Sequence, residues 1–161
     1  MLPEPTDDYD RIVIENINRY DWHVVIVPED DEGVGFAYTV GLTYRFAHAE
    51  IIIFGLSNEV MHSILNVVGT DIKNGKRFVA NTQVGGIVEG YDCAFAPVNQ
   101  TQHNEYLGYC VWLYKKSGFD VLQCFWTDKA GRFPWEDGFP EPLKAKQPIL
   151  SRVNAEKRGT L

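Results

Sequence analysis

Two apolar runs, residues 22–27 and 36–42, are joined by little more than Pro28-Glu29-Asp30-Asp31-Glu32-Gly33. A parallel pair needs a crossover of a dozen or more residues, so this connection dictates an antiparallel hairpin. The first run alternates, with Trp22, Val24 and Ile26 on one side and His23, Val25 and Val27 on the other. A third run, residues 50–54, follows after a loop expected at 43–49. The chain therefore begins its sheet with hairpin-connected strands.

Helices frame those strands. Asp7-Asp8 can cap a helix whose Tyr9, Ile12, Val13, Ile17 and Tyr20 trace one face. Ser57 is a natural N-cap, with Glu59 in the first turn and Val60, Met61, Ile64, Leu65, Val68 and Ile72 as the stripe to about Asn74. Further strands are expected over 77–81, over 87–98 with an interruption at Gly90, and over 120–126. A third helix is expected over 101–116. Pro140, Pro142 and Pro148 argue against regular structure in 139–149, and 151–161 reads as a frayed polar tail. The expected fold is a single α+β domain over 1–150. It has a mainly antiparallel sheet and about three helices on one side, with a partly closed barrel as the alternative.

Charge and cysteine content narrow the class. Residues 1–32 hold ten acids against two arginines, a balance of −8 in a chain of net −7, so the remainder is near neutral. Such a pole is a poor nucleic-acid binder. It admits two readings, a solvated face or a surface that steers a basic partner. Cys93, Cys110 and Cys124 are odd in number and lack CxxC spacing, which fits packing residues in a reducing compartment. No apolar run suggests a membrane span. The N-terminal stretch is acidic and proline-bearing, unlike a signal or transit peptide. A cytoplasmic protein without membrane contact is expected.

The densest stretch is Gln123-Cys124-Phe125-Trp126-Thr127-Asp128-Lys129-Ala130-Gly131-Arg132-Phe133-Pro134-Trp135-Glu136. After Trp126 the backbone must turn, and Gly131 can take positive φ there. Large rings beside charges on a loop imply a pocket wall or a contact surface. Arg132 admits two roles, a bidentate anchor for an anion or an internal ion pair with Asp128 or Glu136. His48-Ala49-Glu50 likewise admits an acid–base pair, Glu50 orienting His48, or a hydrogen bond that fixes the loop-to-strand bend. Tyr38 and Thr39 project to opposite faces, so at most one of them shares a site with His48. No metal site is expected, because His23, His103 and Asp128 have no ligand spacing to His48. No Walker loop, GxGxxG, GxSxG or HExxH is present, and no motif names a cofactor.

Trp22-His23, Tyr38-Thr39-Val40-Gly41-Leu42-Thr43, His48-Ala49-Glu50, Gly55-Leu56, the 123–136 stretch and Gln147-Pro148 together resemble one bacterial family, catalogued as domain of unknown function 4262. The likeness spans about residues 12–150. The resembled family usually has Pro after the His, where this chain has Ala49, and favours Pro before the Asp, where it has Thr127, departures expected to loosen the local backbone. The resemblance implies fold boundaries and site positions, and no activity.

Two functions follow as expectations. The first is a small acidic binding protein, of the immunity type, that holds a basic partner protein through Asp30, Asp31 and Glu32. The second is an enzyme or binder of a small anionic ligand. It would use His48 as base, Glu50 as orienter and Arg132 as anchor, with Tyr38, Thr39, Gln123, Trp126, Asp128 and Trp135 as lining. The second requires the late aromatic loop to fold back against the Tyr-Thr and His-Ala-Glu edge, so that all share one hollow.

Overall fold

A computed structural model describes residues 2–151. Apart from Ser151, which bridges to Val98, the expected frayed tail lies outside the described residues. Helix α1 (Asp8–Tyr20) starts where Asp7 accepts from the Asp10 amide. Only Val13 and Ile17 of its expected stripe are buried hydrophobics; Tyr9, Ile12 and Tyr20 are exposed. Strands β1 (His23–Val27) and β2 (Phe36–Val40) form the expected antiparallel hairpin, with His23 opposite Val40 and Val27 opposite Phe36. The loop expected at 43–49 instead holds a short helix, α2 (Leu42–Phe46), before β3 (Glu50–Phe54). Helix α3 (Asn58–Lys73) is capped by Ser57, whose hydroxyl accepts from the Val60 amide.

The next hairpin pairs β4 (Thr82–Val88) with β5 (Tyr91–Pro97). The strand expected over 77–81 is therefore absent. That segment is tied instead to the end of α2, where Arg77 donates to the Phe46 and Ala47 carbonyls. The helix expected over 101–116 is broken at Leu107 into α4 (His103–Tyr106) and α5 (Gly108–Leu113). Strand β6 (Val121–Phe125) follows, and even the proline-rich segment folds one turn, α6 (Glu141–Lys144), with Pro142 in the first turn where its missing amide costs nothing.

One six-stranded sheet results, ordered β1-β2-β3-β6-β5-β4. It is open, so the barrel alternative does not hold, and it is antiparallel except for the central β3–β6 pair. The helices do not lie on one side. Val24, Ile51, Ile53, Phe95 and Cys124 pack beneath α3. Val25, Tyr38, Ile52 and Phe54 pack on the other face against α1 and α5. Every residue of β3 and β6 is buried, as strands covered on both faces must be. Each large apolar side chain removed from water there contributes about 1.5–3 kcal/mol, the two-sided burial that holds this sheet.

Candidate functional site

The α2 turn explains the first motif. Gly41 holds φ of +120°, and a Cβ there would come within 2.9 Å of the Asp21 carbonyl oxygen. Only glycine fits. The turn aims the amides of Gly41, Leu42 and Thr43 at the Glu50 carboxylate, at 3.1, 3.2 and 3.1 Å. The Thr39 hydroxyl donates at 2.8 Å, and the Tyr114 hydroxyl donates at 2.5 Å. Tyr114 Oη also accepts from the Gly41 and Tyr44 amides. The orphan amides of the α2 first turn are thus satisfied by the chain's own carboxylate and phenol. Glu50 is fully buried. Burial raises its pKa against the donors, which pull it down.

His48 does not pair with Glu50. Its Nε2 accepts from the Phe78 amide at 3.0 Å, which leaves Nδ1 to carry the proton and donate to the Ala49 carbonyl at 2.8 Å. Burial holds its pKa below the usual histidine value, with the Ala49 carbonyl opposing and Arg77 assisting. Both ring nitrogens are engaged. The ring forms part of the wall of a cavity of about 730 Å³, between the α2–β3 turn, the 78–80 segment and residues 117–122.

The late loop is a second lock. Asp128 Oδ1 accepts from the Ala130 and Arg132 amides at 3.0 and 2.8 Å. Its Oδ2 accepts from Arg132 Nε at 2.8 Å. Burial works against the Asp128 charge, yet the Arg132 amide and guanidinium hold its pKa below the usual carboxylate range. Of the two roles open to Arg132, the internal ion pair is the one formed. Gly131 takes φ of +80°, as its place in the turn requires. Trp135 stacks on Phe133 with centroids 5.0 Å apart and meets Phe125 edge-on, so it packs inward.

Glutamines fasten the chain that follows. Gln123 donates to the Pro148 carbonyl at 2.7 Å and accepts from the Leu150 amide at 3.0 Å. Gln147 accepts from the Trp126 amide and donates to its carbonyl. The Trp126 indole donates to the Phe54 carbonyl at 2.7 Å. Tyr38, on the other face, accepts from the Tyr109 amide.

The predicted residues therefore form two groups. Thr39, His48 and Glu50 gather where β3 begins, while Trp126, Asp128, Arg132 and Trp135 gather past the end of β6. Because β3 and β6 run parallel, with Glu50 opposite Val121 and Ile52 opposite Gln123, those are opposite ends of the sheet. Four strand steps separate Glu50 from Phe54, about 13 Å. His48, Glu50 and Arg132 do not approach one cavity, and the expected common hollow is not formed.

Sequence reasoning missed Tyr114 and Arg77. Tyr114 lies inside the helix expected over 101–116, where a tyrosine beside an apolar face often brings its hydroxyl to a buried acceptor. Arg77 was hidden inside a strand assignment.

The buried hydroxyl of Thr127 finds no partner among the described residues. Thr127→Val is expected to stabilise the protein by about 1 kcal/mol, since an unmet buried hydroxyl carries a desolvation cost. A thermal melt reads this as a rise of a few degrees; a fall would mean that the hydroxyl is bonded in solution.

A family profile described as a domain of unknown function (DUF4262) matches residues 16–140. No curated protein and no solved structure matches the chain. Among the described residues no helix is long and apolar enough to cross a membrane, and no group of three or more His, Cys, Asp or Glu side chains is placed to hold a metal ion.

Proposed function

We propose that the chain, which belongs to the DUF4262 family, acts by binding rather than by catalysis. It would hold a basic partner protein as an immunity-type inhibitor holds a bacterial toxin. The observation that carries this reading is the division of polar groups. The polar side chains His48, Glu50, Gln123 and Asp128, in the stretches that carry the family likeness, are buried and bonded internally. Glu29, Asp30, Asp31 and Glu32, at the tip of the β1–β2 hairpin, face solvent and make no ion pair with any described residue.

The tip is also shaped. Asp30 Oδ1 accepts from the Glu32 and Gly33 amides at 2.8 and 3.0 Å, so the turn is fixed before any partner arrives. A preformed acidic projection favours fast, salt-sensitive association with a basic surface. The catalytic alternative needs His48, Glu50 and Arg132 at one cavity, which their positions do not supply. Three buried free thiols fit a cytoplasmic home.

The test uses the chain as bait, then the recovered partner in purified form. Glu29→Lys, Asp31→Lys and Glu32→Lys together, with Asp30 kept to hold the turn, should weaken binding about tenfold or more. Most of the change should fall in the association rate, and it should shrink at high salt. Unchanged association after charge reversal would remove the acidic tip as the contact surface.

A further inference from the structure

At the end of β1 away from the acidic tip, a cleft of about 470 Å³ opens between the C-terminal half of α1 and the outer side of α3. Its charge runs against that of the chain. Arg19 and Lys73 line it, and no carboxylate does, in a protein of net charge −7. Asn16, Asn66 and Thr70 add neutral donors, and the His23 and His62 rings also line it.

The floor is rigid and aromatic. Gly69 lets α3 sit directly on the Trp22 ring; a Cβ there would come within 2.6 Å of Trp22 Cε2 and Cζ2. The Trp22 indole donates to Asn66 Oδ1 at 3.1 Å, and Asn66 Nδ2 in turn contacts His62 Nδ1 at 3.2 Å. On the α1 side, Asn16 Nδ2 meets His23 Nδ1 and Tyr9 Oη meets His23 Nε2, both at 2.9 Å. Burial, with His62 beside it, pushes the His23 pKa down to about 4, so that ring is neutral at physiological pH. Lys73 is partly neutralised by Asp21 at 2.8 Å, although Asp21 also engages Arg45. Arg19 has no ion pair among the described residues, and its guanidinium lies 5.4 Å from the Tyr20 ring centroid.

We propose that this cleft binds a small organic anion, a phosphate or carboxylate carried on an aromatic body. Arg19 supplies the main charge and a planar fork for the anion, which Lys73 supports as a point charge. The amides orient it, and Trp22 and Tyr20 offer rings to the ligand's flat part. The volume falls in the range of small-molecule sites and exceeds what a bare inorganic anion fills. This site stands apart from the acidic tip and does not depend on it.

Titration with phenyl phosphate and with benzoate, followed through the indole N–H signals of the ¹⁵N-labelled protein, tests the assignment. Either anion should shift the Trp22 signal saturably, leave those of Trp112, Trp126 and Trp135 in place, and be matched by no shift with phenol. The tighter of the two names the anion class. Arg19→Gln, which breaks no internal ion pair, should weaken binding at least tenfold while the melting temperature holds. The proposal fails if neither anion moves Trp22 at millimolar concentration, if phenol binds as well, or if Arg19→Gln binds like the wild type.

Discussion

Glu50→Gln is expected to destabilise the protein by about 3 kcal/mol, and Glu50→Ala by more. The reason lies in how the donors divide. Oε1 takes the Thr39 hydroxyl and the Leu42 amide, while Oε2 takes the Gly41 and Thr43 amides and the Tyr114 hydroxyl. Each oxygen faces at least two donors. An amide nitrogen at either position would meet donors with a donor, and the site is fully buried, so water cannot relieve it. The α2 turn then loses the partner of its first amides, and the cost spreads to the β2–β3 edge through Thr39, whose hydroxyl also accepts from the Ile51 amide. Denaturant midpoints check the size, with an unchanged slope to show that the folded state is otherwise intact. In a domain of this length the melting temperature should fall by about 10 °C. A Glu50→Gln protein within 1 kcal/mol of the wild type would show that the carboxylate does not hold the turn, and would reopen a chemical role for it.

Much of this was legible before the fold was known. The caps at Asp7 and Ser57, the alternation through Val24 and Val25, and the eight-residue link between β1 and β2 all rest on local chemistry. Local chemistry is what a single sequence states most directly. The positions read as a site share one signature, since Thr39, Glu50, Gln123 and Asp128 are polar groups buried beside apolar neighbours. Their meaning was not legible. A carboxylate poised for a ligand and one that receives its own backbone amides look alike until the turn at Gly41 is seen to fold onto Glu50. The common hollow failed for a topological reason. An antiparallel β3–β6 pair would have brought Trp126 and Arg132 alongside His48, whereas the parallel pair sends them to the far end. The expectation of helices on one side failed because Ile51-Ile52-Ile53-Phe54 is an unbroken apolar run. That pattern belongs to a strand covered on both faces.

Acid should weaken the fold well above the range where most carboxylates titrate. His23 and His48 are both held neutral in the folded protein, His23 with its pKa near 4 and His48 below the ordinary value, each chiefly through burial. An unfolded histidine protonates near pH 6.5. A folded pKa lying below the unfolded one means that the unfolded chain binds the extra proton first. The stabilisation is therefore complete above about pH 6.5 and is lost as the pH falls from there toward the folded values. Glu50, whose pKa is raised, works in the opposite sense: its contribution is present below the unfolded value and lost as pH rises. It cannot produce the acid loss. For His48 the mechanism is specific, since a proton on Nε2 removes the acceptor of the Phe78 amide and places a cation near Arg77. His23 is only partly enclosed, so its share is discounted for solvent screening. From pH 7.5 to pH 5 His23 should cost on the order of 1 kcal/mol after that discount, and His48 adds to the loss in the same direction. Denaturant midpoints at both pH values measure it, with His48→Gln as the diagnostic variant. Its side-chain oxygen can accept from Phe78 without titrating, so it should be weaker at pH 7.5 yet lose less on acidification. If His48→Gln and His23→Gln both keep the full wild-type loss between those pH values, the two imidazoles are not its source.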